Sequence, residues 1–378
     1  MKNPIEMQTK IARRQFLKAG GLGFAGAMMS AVSARTIAAD ACPVPVFVAP
    51  DESVAHTRTW MAWPSSTSIW GSLLSGVQND IALIARTIAK YEPVLMCADG
   101  STNASTARTK CGSTVSVISS IPVNDCWVRD TGALFRRDGL GKIDGVAGNF
   151  NGWGNKQTYS KDRYVAERMA SYLGVTNTFA DLVFEPGAVE CDGDGTLLAT
   201  ESSIINSNRN PGLSKAQIEA ALLSAYGAQK MLWVPGVVGL DITDDHIDGN
   251  TRFVRPGVIM MHVSPDSDTS PYAVDSRQQY QILSNTTDAK GRRLMIIKVD
   301  VPINTRVSSP DLLKSYMNYY VCNNAVINVN FGDTITDAAA KTALANACPG
   351  RTIEMLNLDR LYQGGGGVHC VTQQQPLA

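Results

Sequence analysis

The chain has 378 residues, of which 34 are basic and 34 acidic, with 44% hydrophobic and 7% aromatic content. That balance is uneven along the chain: residues 1–39 carry six basic residues and one acidic residue, so subtraction leaves 28 basic and 33 acidic residues beyond them, a net charge of −5. A mildly acidic body of roughly 340 residues is enough for one large domain or two small ones, argues against a nucleic-acid binder and is compatible with a small cationic substrate.

The chain opens with Arg13-Arg14-Gln15-Phe16-Leu17-Lys18, a twin-arginine pattern, followed by a weakly apolar Ala, Gly and Met-rich run from Ala19 to Ala34 and small residues at Ala38 and Ala39. The run is too short and too glycine-rich to span a bilayer, so it reads as a signal peptide. The expectation is a twin-arginine signal over residues 1–39, recognised by that export machinery, and one catalytic domain over residues 40–378 in the periplasm. No other segment approaches transmembrane length.

Eight cysteines in an exported chain ordinarily suggest disulfides, and Cys97 with Cys111 or Cys322 with Cys348 are pairs that neighbouring elements could bring together. Twin-arginine substrates usually fold before export, which makes pairing optional. The sequence has no CxxC, and its four histidines (His56, His246, His262, His369) are scattered, so no zinc site is expected.

Helical periodicity marks Val77 to Tyr91, Lys161 to Leu173, Ser214 to Tyr226, Pro271 to Leu283 and Thr336 to Ala347. Each is followed by a short apolar, strand-like run: Val94 to Cys97, Leu182 to Phe184, Met231 to Val234, Leu294 to Val299 and Ile353 to Leu356. Further extended stretches, such as Arg252 to Val263 and Ala325 to Phe331, lie between. The recurring order is strand, strand, helix, strand, about five times. An α/β chain of this kind can pack radially around a central channel or as an open doubly wound sheet. The open sheet would normally carry a glycine-rich phosphate loop after its first strand, and here the only glycine run is Gly364 to Gly367.

Four stretches carry the candidate chemistry. In Asn124 to Gly132, an extended start would put Trp127 and Arg129 on one face and Asp130 at a strand end facing a cavity; a surface ion pair between Arg129 and Asp130 is the plainer alternative. In Asp241 to Gly249, a strand would let His246 and Asp248 address one ligand together. Glu185-Pro186-Gly187 ends an apolar run. Lastly, Gln363 to Thr372 holds four glycines followed by His369 and Cys370, where glycine freedom lets the backbone pass close to a ligand and suits a thiol nucleophile. A flexible hairpin with a buried thiol is the alternative.

Taken together with Trp60 to Pro64, Phe150 to Gly154, Asn208 to Pro211 and Ser315 to Asn318, these stretches resemble the agmatine deiminase branch of the guanidine-modifying, or pentein, superfamily, from about Trp60 to Pro376. The resemblance implies a five-bladed α/β propeller with its site in the central channel. It also implies roles for matching positions: Cys370 as nucleophile, His246 as general acid and base, Asp130 and Asp248 as the carboxylates that hold the guanidinium, Glu185 as acidic partner of the histidine, and Trp127 as a wall of the substrate channel. Three positions depart from the family pattern: Pro186 stands in place of glycine, Asp245 replaces a glycine, and Ala133 stands where proline is common.

A guanidinium ion is planar and resonance-stabilised, so attack at its carbon needs carboxylates to fix its plane and a strong nucleophile. The expected reaction is deimination of agmatine to N-carbamoylputrescine and ammonia through a cysteine adduct, with no metal, nucleotide or redox cofactor required. The same mechanism serves peptidyl or free arginine, and export suits a peptide substrate. A cysteine peptidase gives three carboxylates no role. A periplasmic guanidinium-binding protein without turnover gives the cysteine none. The sequence leaves a homo-oligomer open.

Overall fold

The computed structural model describes residues 46–378; the segment expected to act as a signal peptide lies outside them. The chain begins its first sheet with β1 (His56–Ala62), crosses through helix α1 (Leu74–Ile88) to β2 (Val94–Cys97), and crosses again through α2 (Gly100–Cys111) to β3 (Val115–Ile118), all three strands parallel.

Four units of another plan follow, each an antiparallel pair whose second strand leads through a helix to a parallel third. They are β4 (Leu134–Arg137), β5 (Ile143–Ala147), α3 (Val165–Leu173) and β6 (Asn177–Phe179); then β7 (Val189–Cys191), β8 (Thr196–Thr200), α4 (Lys215–Tyr226) and β9 (Lys230–Val234). The next is β10 (Thr251–Arg255), β11 (Val258–His262), α5 (Pro271–Ser284) and β12 (Met295–Val299), and the last β13 (Tyr320–Cys322), β14 (Ala325–Val329), α6 (Thr334–Ala347) and β15 (Thr352–Leu356). The final strand, β16 (Gln373–Pro376), returns to lie antiparallel to β1, with Trp60 opposite Gln373 and His56 opposite Pro376. It gives the first sheet the antiparallel strand the other units already have. The described residues thus form five small sheets, and the strand, strand, helix, strand order read from the sequence recurs in them.

Local signals explain these boundaries. Ser214 caps α4 reciprocally with Gln217, each accepting the other's backbone N–H, and Gly227 ends the helix in the left-handed region at φ 67°. Asp333 accepts the N–H groups of Ile335 and Thr336, so α6 starts two residues before the apolar pattern does. Helix α2 escapes the periodicity because its buried residues are the small Ala104, Ala107 and Cys111 in a polar segment.

The run Leu182 to Phe184 is not a strand. Side chains take its backbone groups instead: Asn210 accepts from Val183 N–H and donates to Val183 O, Asn149 donates to Leu182 O, and Phe184 N–H reaches Gly148 O. This irregular path delivers Glu185 to the interior. Trp60, Met61 and Trp63 on and after β1 are fully buried. Among the described residues no helix is long and apolar enough to cross a membrane, and Cys97, Cys111, Cys322 and Cys348 are all free, so neither candidate disulfide is present.

Candidate active site

The sequence-predicted residues converge, but from helical turns rather than from strand ends. Asp130 sits in a turn of helix at Val128–Thr131, correcting the extended reading of that stretch. Arg129 faces away from it: its guanidinium reaches Glu52 at 3.2 Å, Gln374 at 2.8 Å and the His369 carbonyl at 3.3 Å, so the surface ion pair with Asp130 does not form. His246 and Asp248 also leave the expected strand, for His246 precedes a 3-10 turn at Ile247–Gly249 that contains Asp248. Both side chains nevertheless enter the same interior, as do Glu185 and Cys370.

His246 is the centre of one wall. Its Nδ1 lies 3.7 Å from Asp130 Oδ1, and its Nε2 lies 3.4 Å from Glu185 Oε2, an ion-pair distance rather than an aligned hydrogen bond. Burial alone would push this imidazole down, yet Asp130, Glu185 and Asp248 outweigh it and raise it to about 9. Glu185 remains ionised despite burial because His246 and the buried Arg209, 3.1 Å away, hold its carboxyl below the usual range. Asp130 behaves differently. Burial raises it, His246 opposes, and Glu185 and Asp248 add to the rise, leaving its carboxyl at about 6.

Gly187 makes this wall possible. A Cβ there would overlap Asp130 Oδ1 and stand 3.2 Å from His246 Nδ1. Its neighbour Pro186 occupies the first position of a 3-10 turn (Pro186–Ala188), where a missing N–H and a fixed φ cost nothing, so the proline departure is accommodated. Asp245 has φ 72°, a conformation that favours glycine; its carboxylate accepts Val237 N–H at 3.0 Å and its own N–H reaches Asp241.

Asp130 has one further contact, from the Trp153 indole N–H at 2.9 Å to Oδ2. Trp153 is held at φ 54° between Gly152 and Gly154, the work of the Phe150 to Gly154 motif. Asp130 Oδ1 is buried and has no hydrogen-bond partner among the described residues.

Cys370 and Asp248 form a second group in the same interior. The thiol sulfur lies 3.9 Å from Asp248 Oδ2, while the Cys370 N–H donates to Asn318 Oδ1 at 3.3 Å and its carbonyl accepts from Arg129 N–H at 3.1 Å. Burial pushes the thiol up, and Asp248 and Asp130 push it further, so the resting group is the neutral thiol. The four glycines serve close approach more than unusual torsion. Only Gly365 has a positive φ, but a Cβ on Gly364 would overlap the Trp70 ring, and one on Gly366 the Trp127 ring. Trp127 therefore packs closely against the loop that carries Cys370.

Several charged residues at this site were missed by sequence reasoning. His369 bridges Asp248 and Glu52, Arg252 is 1% exposed and pairs with Glu52 and Glu190, and Arg209 braces Glu185. His369 had the one available signal, adjacency to Cys370. Glu52 had none. Among the described residues, no cluster of three histidine, cysteine or acidic side chains is arranged to hold a metal ion.

Residues 48–376 match the model of the Porphyromonas-type peptidyl-arginine deiminase family. The chain belongs to that family. Its similarity to a putative agmatine deiminase of Legionella pneumophila is 34% identity over 333 residues, covering 87% of this chain and 95% of that one. An agmatine deiminase of Pseudomonas aeruginosa is 33% identical over 360 residues, again 87% of this chain and 95% of the relative. The solved agmatine deiminase of Enterococcus faecalis superposes with a TM-score of 0.83 at 29% identity, over 88% of this chain and 96% of the other. Membership places the chain among mixed α/β hydrolases acting on guanidine C–N bonds, and all six sequence-predicted site residues fall within the matched span.

Proposed function

We propose that this family member hydrolyses agmatine to N-carbamoylputrescine and ammonia through a covalent adduct on Cys370. The observation that carries the reading is the gathering of two buried carboxylates near one thiol: Asp130 with its unpartnered Oδ1, and Asp248 beside Cys370 Sγ. A guanidinium offers N–H groups along its edges, and carboxylates on both sides would hold it flat.

The same cation answers the main electrostatic obstacle. Asp130 and Asp248 oppose a thiolate at Cys370, and a bound guanidinium cancels their field, so the thiol gives its proton to solvent once substrate is seated. The thiolate adds to the guanidinium carbon. His246, protonated at neutral pH, gives its proton to one terminal nitrogen, which leaves as ammonia, and a thiouronium retaining the aminobutyl tail stays on sulfur. Neutral His246 then takes a proton from water as it adds to the same carbon. Collapse expels the thiolate, the added hydroxyl gives its proton to that sulfur, and the urea product leaves the resting thiol restored. Glu185, braced by Arg209, orients the imidazole throughout, and Trp127 walls the channel.

The five sheets and the closure of β16 onto β1 support a five-bladed propeller in which these turns meet at the central channel. The Arg13-Arg14 pattern supports export to the periplasm as the folded single domain 40–378; fractionation of cells expressing the chain, with and without Arg13→Lys and Arg14→Lys, tests it.

The function is tested by ammonia release from agmatine, free arginine and an arginine-containing peptide. Agmatine is expected to give the highest kcat/KM, and turnover of the peptide alone would replace it as substrate. Cys370→Ser is expected to lower turnover by about a thousandfold or more, and mass spectrometry of quenched enzyme to find agmatine less ammonia on Cys370. Unchanged turnover in that variant would remove the nucleophile and the mechanism with it.

A further inference from the structure

His369 makes two contacts that no role above explains. The ring is 2% exposed, and each nitrogen faces a carboxylate oxygen: Nδ1 lies 2.7 Å from Asp248 Oδ2, and Nε2 lies 2.8 Å from Glu52 Oε2. Ionised carboxylates only accept, and a neutral imidazole has one N–H to give. Both contacts are met together only by a ring carrying hydrogen on each nitrogen.

Glu52 is no incidental partner. Its Oε2 also receives Arg129 at 3.2 Å and Arg252 at 3.1 Å, and its Oε1 accepts Val321 N–H at 2.7 Å, so it is fixed from three segments. The backbone of His369 is equally constrained, with its N–H on Asn318 O at 3.1 Å and its carbonyl held by Arg129 Nε and Thr372 N–H. The next residue is Cys370. One ring thus joins the substrate-facing carboxylate to the nucleophile's own backbone.

We infer that His369 and Glu52 are positioning residues: anchored by Glu52, His369 occupies Asp248 Oδ2, aims the remaining oxygen at the guanidinium, and sets that carboxylate in register with Cys370. The inference rests on the reading above that Asp248 receives a guanidinium. It differs from a packing role because the two ring nitrogens do separate jobs, and substitutions can separate them. The amide nitrogen of asparagine falls near the place of Nδ1 and keeps a donor for Asp248. That of glutamine falls near Nε2 and keeps only the reach to Glu52.

The experiment measures kcat and KM for agmatine and thermal midpoints in His369→Asn, His369→Gln and Glu52→Gln, and follows binding of the guanidinium ion by calorimetry with each change placed in Cys370→Ser. His369→Gln is expected to raise KM and the guanidinium Kd by about tenfold or more, His369→Asn by about threefold or less, and Glu52→Gln by an amount between them. Equal losses in the two histidine variants, in step with their midpoints, would reduce His369 to a packing residue and overturn the inference. So would a smaller loss in glutamine than in asparagine, or guanidinium binding unchanged by either. If the histidine variants do not fold, Glu52→Gln decides: an unaltered guanidinium Kd overturns the proposal. Should the unmodified chain release no ammonia from agmatine while the asparagine-over-glutamine order persists in guanidinium binding, the substrate assignment fails and the positioning role stands. Absence of guanidinium binding in Cys370→Ser itself would overturn both.

Discussion

Asp130 and Asp248 are the same residue type, both buried in one site, yet their surroundings drive them apart. Asp130 has a neutral donor in Trp153 and only a distant imidazole, so burial dominates and its carboxyl rises to about 6. Asp248 has the His369 ring at 2.7 Å with Arg252 behind, and stays below the usual carboxylate range despite burial. Burial sets the direction of a shift where the opposite charge in reach is too weak to offset it, as at Asp130, and loses to closer charges at Asp248. One carboxylate therefore keeps a fixed charge, and the other keeps a charge that a substrate cation would finish stabilising.

The sharpest way to break that contrast is to neutralise each carboxylate in turn. Asp130→Asn and Asp248→Asn are both expected to lower kcat/KM for agmatine by about a hundredfold or more, each removing a guanidinium contact. Their stabilities should diverge. A carboxyl raised above its unfolded value costs stability once pH exceeds its folded value, so Asp130→Asn should leave the thermal midpoint at pH 8 unchanged or higher. A carboxyl held below its unfolded value contributes stability above that value, and Asp248→Asn also strands His369, a loss of about 2–4 kcal/mol. Equal midpoints would erase the distinction.

The pH profile is the next test. The proposed mechanism needs Asp130 ionised to hold the cation and His246 protonated to release ammonia, so kcat/KM should rise as pH passes about 6 and fall as it passes about 9. Trp153→Phe should sharpen the assignment. Losing an N–H that favours the carboxylate moves the acid limb upward, with a loss of about tenfold in kcat/KM at pH 6, while the alkaline limb stays in place. An acid limb that does not move would assign it to a group other than Asp130.

The smallest effect is expected at Asp245→Gly. Glycine relieves a left-handed backbone at φ 72° and gives up one hydrogen bond to Val237, so the changes offset within about 1 kcal/mol in denaturant unfolding. A larger loss would mean that the aspartate holds the loop ahead of His246 by more than that bond.

Much of the frame was legible because its signals are local. The Ser214 cap, the Gly227 stop and the apolar run Val94 to Cys97 each declare an element within a few residues, and the spacing of such elements exposed the repeat. The site was legible in composition and less so in conformation. Asp130 and Asp248 were expected from extended chain and come from helical turns, because turns between the strands let polar side chains enter the interior while the strands remain apolar. Leu182 to Phe184 looked like a strand since hydrophobic content cannot show that Asn149 and Asn210 take its hydrogen bonds. Glu52 was invisible for a related reason: Arg129, Arg252 and His369 give it meaning, and they lie 77, 200 and 317 positions away.

The pairing of Gln373 to Pro376 with the strand that opens the fold bears on synthesis. Cys370 lies just ahead of that pairing, so a ribosome must deliver the residues up to Pro376 before the thiol has a scaffold to hold it. Shorter nascent or truncated products ending before Gln373 would carry the acidic wall and the imidazole but no anchored sulfur. Such a protein has no partly made form that anchors Cys370, and the thiol gains its scaffold only as β16 pairs with β1.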